Sequence, residues 1–208
     1  MKFTSESKFF LGIIGATVII IIGALILFSK PTPEKPALAR QDLIASDTQT
    51  IGNASASAFL VEFSDFQCPA CKAFQPAVDI ILDKYKDKIL FAYRHFPLDK
   101  HEYALNAALT AEAAGEQGKF WEMAKLLFEN QDRFSEALWK DWANSLGLNL
   151  DEFEISFNSQ KLKDKINLDR AYGEQIGVDA TPTFYLNGKK LELTSQADLV
   201  KAIEEVVK

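Results

Sequence analysis

The sequence predicts an α/β domain behind an apolar N-terminal helix. Two short apolar runs, 58–63 and 89–96, flank one helical segment, as in a β-α-β unit. A stretch of helical periodicity then runs from His101 to about Ile176, and a hairpin with a final amphipathic helix closes the chain. Between the first apolar run and its helix lie the only two cysteines, in Asp65-Phe66-Gln67-Cys68-Pro69-Ala70-Cys71-Lys72. A disulfide closing so short a loop removes little entropy from the unfolded chain, so this spacing points to redox chemistry rather than stapling.

From Phe9 to Phe28 the chain carries no charge, and as a helix this stretch is ~30 Å long, enough to cross a bilayer. The first small-residue cleavage pattern, Ala37-Leu38-Ala39, comes well after the apolar run, so an uncleaved anchor is expected over 9–28, with residues 1–8 as its tail. Basic residues on the two flanks nearly balance: Lys2 and Lys8 face Lys30, Lys35 and Arg40. A short tail before a long domain favours a single-pass signal anchor in the cytoplasmic membrane, with the domain on the extracytoplasmic side. Pro31, Pro33 and Pro36 make 29–45 an extended tether, leaving 46–208 as one domain. A net charge of −6 without a basic cluster past the tether excludes nucleic acid as the expected partner.

Within the domain, Ala58–Phe63 reads as a buried strand broken only by Glu62. Pro69 suits the first position of a helix capped by Cys68, and Phe74, Val78, Ile81, Leu82 and Tyr85 form its apolar face. Pro76 lies inside that helix. Ile89–Phe96 is the second strand, closed by Pro97. Five helices follow, over 102–114, 120–130, 135–146, 150–158 and 161–175, as an insertion of about 100–176. Thr183–Leu186, Asn187-Gly188 and Lys189–Leu193 read as a hairpin, and Ser195 or Gln196 opens the last helix.

The residues that carry chemistry converge on the helix start. At a helix N-terminus, free N–H groups and the macrodipole favour a thiolate at Cys68, and Cys71, three residues on, is placed to resolve a mixed disulfide. Glu62 is either a strand-edge carboxylate in water or a buried acid, raised towards the range where it exchanges protons with Cys71. Thr181-Pro182 precedes a strand and holds either a cis or an ordinary trans bond. His95 and His101 read as structural or surface residues, and with no second cysteine pair zinc is not expected.

The strings FSDFQCPACKAF, YRHFPLDKH, AAGEQGKFWEM and DATPTFYLNG closely resemble the DsbA-like branch of the thioredoxin-fold family, with its BdbD-like membrane-tethered thiol-disulfide oxidoreductases. The resemblance spans about Ala58 to Lys208 and implies a thioredoxin fold with an inserted α-helical domain, preceded here by the single transmembrane helix. It makes Cys68 the nucleophile, Cys71 the resolving cysteine, Glu62 the buried acid and Pro182 a cis-proline facing the pair. Thr181, Pro69 and Ala70 become the substrate contacts, with no metal and no cofactor beyond the redox-active disulfide. The implied activity is the introduction of disulfides into reduced exported polypeptides, with a membrane quinone-linked thiol oxidase restoring the pair. A reductase or isomerase of the same fold, and a non-catalytic tethered binding module with a structural disulfide, are the competing readings. Strongly oxidising members carry His where this chain has Ala70, which predicts a less acidic Cys68 and a less oxidising pair.

Overall fold

The computed structural model describes residues 5–28 and 36–208, and in the N-terminal helix it describes side chains over residues 9–24. The chain divides into two units, Met1–Pro36 and Ala37–Lys208. The first holds α1 (Ser5–Phe28), a helix of 24 residues. Among the described residues no helix is long and apolar enough to cross a membrane. The anchor expected over 9–28 is therefore not borne out here. The side chains of residues 25–28 of that run lie outside those described.

The second unit is built on a five-stranded sheet in the order β1-β3-β2-β4-β5. Its strands are β1 (Gln49–Gly52), β2 (Ala58–Ser64), β3 (Ile89–His95), β4 (Thr183–Leu186) and β5 (Lys189–Lys190). β2 and β3 run parallel, joined by α3 (Pro69–Tyr85), and the other pairings are antiparallel. Every residue of β2 and β3 is buried, because both faces of the sheet are covered. Alternation divides β2 between two cores. Ala58 and Leu60 pack with Ala77, Val78 and Ile81 of α3 and with Leu199 and Ile203 of α9 (Gln196–Val206). Phe59, Val61 and Phe63 pack on the opposite side with Leu43, Leu90, Ala92 and Val178.

Leu43 belongs to a stretch read from the sequence as the end of the tether. In the fold, the short α2 (Arg40–Leu43) lies against the sheet: Leu43 is fully buried, and Arg40 donates to the carbonyls of Ala54 (2.7 Å) and Ala56 (2.8 Å). The Leu38 N–H bonds the Gly188 carbonyl at 2.9 Å. The stretch 38–43 thus becomes domain wall where the sheet offers an apolar face and the neighbouring loop and turn offer carbonyls.

Between β3 and β4 the chain inserts α4 (Ala104–Gly115), α5 (Phe120–Glu129), a 3-10 turn (Gln131–Arg133), α6 (Glu136–Ser145), α7 (Leu150–Phe157) and α8 (Gln160–Gln175). Phe120, Met123, Leu127, Phe134, Trp139, Trp142 and Phe153 form its core. Two consecutive residues of β3 dock it. Arg94 bonds Asp169 of α8 through Nε and Nη2, each at 2.7 Å, and its guanidinium lies over the Tyr172 ring at 4.7 Å. His95 Nε2 lies 2.8 Å from Glu112 Oε1 on α4, where Lys165 of α8 also binds. Burial alone would raise Glu112, but the hydrogen bond and charge of His95, with those of Lys165, prevail and hold it at about 2.

Candidate active site

Cys68 sits where the sequence places it, at the N-cap of α3 in extended backbone, with Pro69 as the first helical residue. Its carbonyl accepts the first helical bond from Lys72 N–H at 3.1 Å, so the N–H groups of the first turn point towards the sulfur's end of the helix. Pro69 and Ala70 are exposed, Cys68 is 6% exposed and Cys71 1% exposed. Both cysteines are free thiols. One helical turn therefore presents one sulfur to the surface and holds the other beneath it.

The Thr181-Pro182 bond is cis, and the turn it forms brings the Thr181 carbonyl to 3.5 Å from Cys68 Sγ. A groove of about 540 Å³ opens there, lined by Cys68, Pro69, Ala70, Leu98, His101 and Thr181, among others. The buried Thr181 hydroxyl lies beside the sulfur. Glu62 lies on the α3 side of β2, in register with Tyr93 on β3 and Phe184 on β4. It is 2% exposed. Cys68, Cys71, Glu62, Thr181 and Pro182, far apart in sequence, meet at one end of α3.

The electrostatics differ sharply between the two sulfurs. Cys68 is lowered to about 5: the Cys71 side chain donates to it, and the Thr181 side chain and the N–H groups of Cys71 and Ala70 add further bonds that outweigh desolvation. Cys71 is pushed above its usual range, first by burial and then by donating to Cys68, with the neighbouring Glu62 charge adding to both. Burial raises Glu62 to about 7, and the Cys68 charge works in the same direction. With Ala70 in place of an imidazole, the donors to Cys68 include the neighbouring thiol and the helix backbone. Buried Tyr93 and Ser64 lie beside this group, and a hydrogen bond from the Ser64 hydroxyl opposes the rise of Glu62.

Three supporting residues escaped the sequence reading. Gln131, in the turn after α5, donates to the carbonyls of Phe66 (2.7 Å) and Cys68 (2.9 Å), clamping the loop that carries the cysteine. Asp65 accepts from Gln67 N–H at 2.7 Å, and its carbonyl accepts Cys68 N–H at 3.0 Å. His101, read as a structural or surface residue, lines the groove, with Nδ1 at 2.7 Å from Asp65 Oδ2. Phe66 stacks on Tyr93 at 4.8 Å and tilts against Phe128 at 5.0 Å, pinning the same loop to the insertion. His101 lies 36 residues from Asp65 and Gln131 lies 65 residues from Phe66, so no local pattern announces either. The one signal in sequence is Asp65 itself, three residues before the helix cap.

A family model described as Thioredoxin matches residues 45–205. Among curated proteins, the Na(+)/H(+) antiporter NhaA 1 of Mycolicibacterium vanbaalenii is 32% identical over 208 residues, an alignment that covers 93% of this chain and 33% of that protein. The chain thus spans about a third of that relative's length. Among solved structures, the thiol-disulfide exchange protein alpha-DsbA2 from Wolbachia pipientis superposes with a TM-score of 0.72 at 23% identity, covering 80% of this chain and 91% of that one. Oxidised BdbD from Bacillus subtilis gives a TM-score of 0.69 at 23% identity, covering 82% and 98%. At that identity the likeness is one of fold. With the family match over most of the domain and the inserted helices between β3 and β4, the chain belongs to the thioredoxin family and carries its fold in the DsbA-like form.

Proposed function

We propose that this protein is a thiol-disulfide oxidoreductase that introduces disulfides into reduced, exported polypeptides through a Cys68–Cys71 disulfide. The observation that carries the reading is the asymmetry of the pair: an acidic, groove-facing Cys68 above a buried Cys71 that holds its proton. A stabilised Cys68 thiolate favours the dithiol form, and so makes the disulfide form the better electron acceptor. A substrate thiolate attacks Cys68 Sγ; the S–S bond breaks and its electron pair goes to Cys71, which takes a proton from Glu62. The substrate's second thiolate then attacks its own sulfur in the mixed disulfide and expels Cys68 as the thiolate. The substrate leaves oxidised by two electrons and the pair is left reduced. Thr181 offers its backbone to the substrate chain beside cis-Pro182, while Pro69 and Ala70 form the floor it rests on.

The reduced pair needs an acceptor, and the reading assigns this to a membrane thiol oxidase linked to quinone. No cofactor beyond the cysteine pair enters these steps. The charge-free run 9–28, helical in α1, anchors the chain in the cytoplasmic membrane in a single pass with the domain outside. The experiment is reoxidation of a reduced two-cysteine model protein by the full chain. Wild type should catalyse it and Cys68→Ala should not, and equal rates for the two would remove the reading.

A further inference from the structure

The exchange steps above leave one wall of the groove unused, and His101 stands on it with a built support. The imidazole is 15% exposed, and the Asp65 carboxyl behind it is fully buried. That carboxyl already accepts backbone N–H groups from Gln67 at Oδ1 (2.7 Å) and from Leu98 at Oδ2 (3.0 Å). With both oxygens acting as acceptors, the imidazole contributes its Nδ1 proton to the third bond, at 2.7 Å. The lone pair of the neutral ring then lies on Nε2. Among the described residues Nε2 has no hydrogen-bond partner, and the residue faces the same groove as Cys68. Asp65 also takes the Cys68 N–H on its carbonyl at 3.0 Å, so one residue fixes both the imidazole and the cysteine's backbone.

Exchange needs such a group. A substrate thiol is mostly protonated at neutral pH and only its thiolate attacks a disulfide. Glu62 serves Cys71 from beneath the pair and is 2% exposed, so it does not meet a substrate entering from the groove. We infer that His101, held by Asp65, is the groove-side base that takes the proton of the incoming substrate thiol. The S–H proton passes to His101 Nε2; the sulfur, now a thiolate, attacks Cys68 Sγ, and the electron pair of the broken S–S bond goes to Cys71. In the reverse direction the imidazolium returns the proton to the departing substrate sulfur. The inference rests on the oxidoreductase reading.

The charged and titratable groups around the ring come from four places: Asp65 before α3; Asp99 and Lys100 on the histidine's own loop, Asp99 being bonded to Arg170 of α8; Asp179 before β4; and Cys68. The test uses His101→Asn in the full chain in detergent, because asparagine retains an N–H donor for Asp65 and removes Nε2. The protein is converted to its disulfide form with oxidised glutathione and mixed with a reduced two-cysteine peptide across pH 5–9. The expected result is a rate constant near neutral pH lowered about 10-fold or more. The variant's rate should rise with pH until the peptide thiol itself ionises, where wild type has levelled off. Alkylation of reduced Cys68 by iodoacetamide, which involves no substrate proton, should proceed at the wild-type rate in the variant. A wild-type rate and pH profile in His101→Asn overturns the inference. So does a slowed exchange matched by an equal change in alkylation, which would place the histidine's effect on Cys68 itself. Exchange that persists in Cys68→Ala would instead remove the oxidoreductase reading, and this inference with it.

Discussion

At the N-cap of α3 one helical turn gives two thiols opposite characters. Cys68 takes hydrogen bonds from Cys71 and from the N–H groups of the first turn, while Cys71 is desolvated and donates. Alkylation of the reduced protein should therefore modify Cys68 alone, with a rate that titrates near pH 5 and not near the pH 8–9 of a free thiol; mass spectrometry after trypsin reads both points. Glu62 carries the opposite linkage to an ordinary carboxylate. Its folded value, about 7, lies above the ordinary glutamate value of 4.5, so its contribution is fully present below pH 4.5 and is lost as pH rises through 7. The loss is on the order of 3 kcal/mol. Across pH 5–8 the reduced protein also gains stability as Cys68, lowered to about 5, ionises in the folded state only, so urea unfolding at pH 5 and pH 8 should show the reduced wild type gaining less stability with pH than reduced Glu62→Gln, by roughly 3 kcal/mol. Equal pH dependence in the two proteins would place the cost elsewhere.

β3 is the element that ties the exchange fold to its insertion, through adjacent side chains on opposite faces. Asp169→Asn leaves the buried Arg94 guanidinium without its charge partner, and should cost about 3–5 kcal/mol in urea unfolding. At the β4–β5 turn, Gly188 has φ +82° and a Cβ there would run into the backbone of Leu38. Gly188→Ala should therefore destabilise by more than the roughly 1–2 kcal/mol of the left-handed conformation alone. Most elements were legible in sequence. The apolar runs became β2 and β3, the helical periodicities became α3 and the insertion to within a few residues, and Asn187-Gly188 became the hairpin turn. β1, Gln49-Thr50-Ile51-Gly52, was not legible, because four half-polar residues form a strand only by pairing with β3. Neither was the packing of Leu43, which a proline-spaced segment conceals. The cysteines, Glu62 and Thr181-Pro182 stood out by residue type, whereas Gln131 and His101 acquire meaning only when the insertion folds back over the loop at Asp65.

Across the whole molecule, stability depends on charges that the fold buries. Glu112 sits at about 2 between His95 and Lys165, below the ordinary glutamate value of 4.5. Its contribution is present above pH 4.5 and lost as pH falls through 2, on the order of 3 kcal/mol, so acid unfolding should steepen in that window and flatten in Glu112→Gln at lower overall stability. An anchored, outward-facing domain predicts that a membrane-impermeant thiol reagent labels Cys68 in intact cells after mild reduction; labelling only after lysis would reverse the orientation. The pair's direction of exchange follows from how far the fold favours the Cys68 thiolate. The most direct test is the reduction potential of the Cys68–Cys71 couple in the full chain, equilibrated against glutathione mixtures. A value above about −200 mV is predicted for a pair that gives its disulfide away, and a value below about −300 mV, where structural disulfides lie, would contradict it.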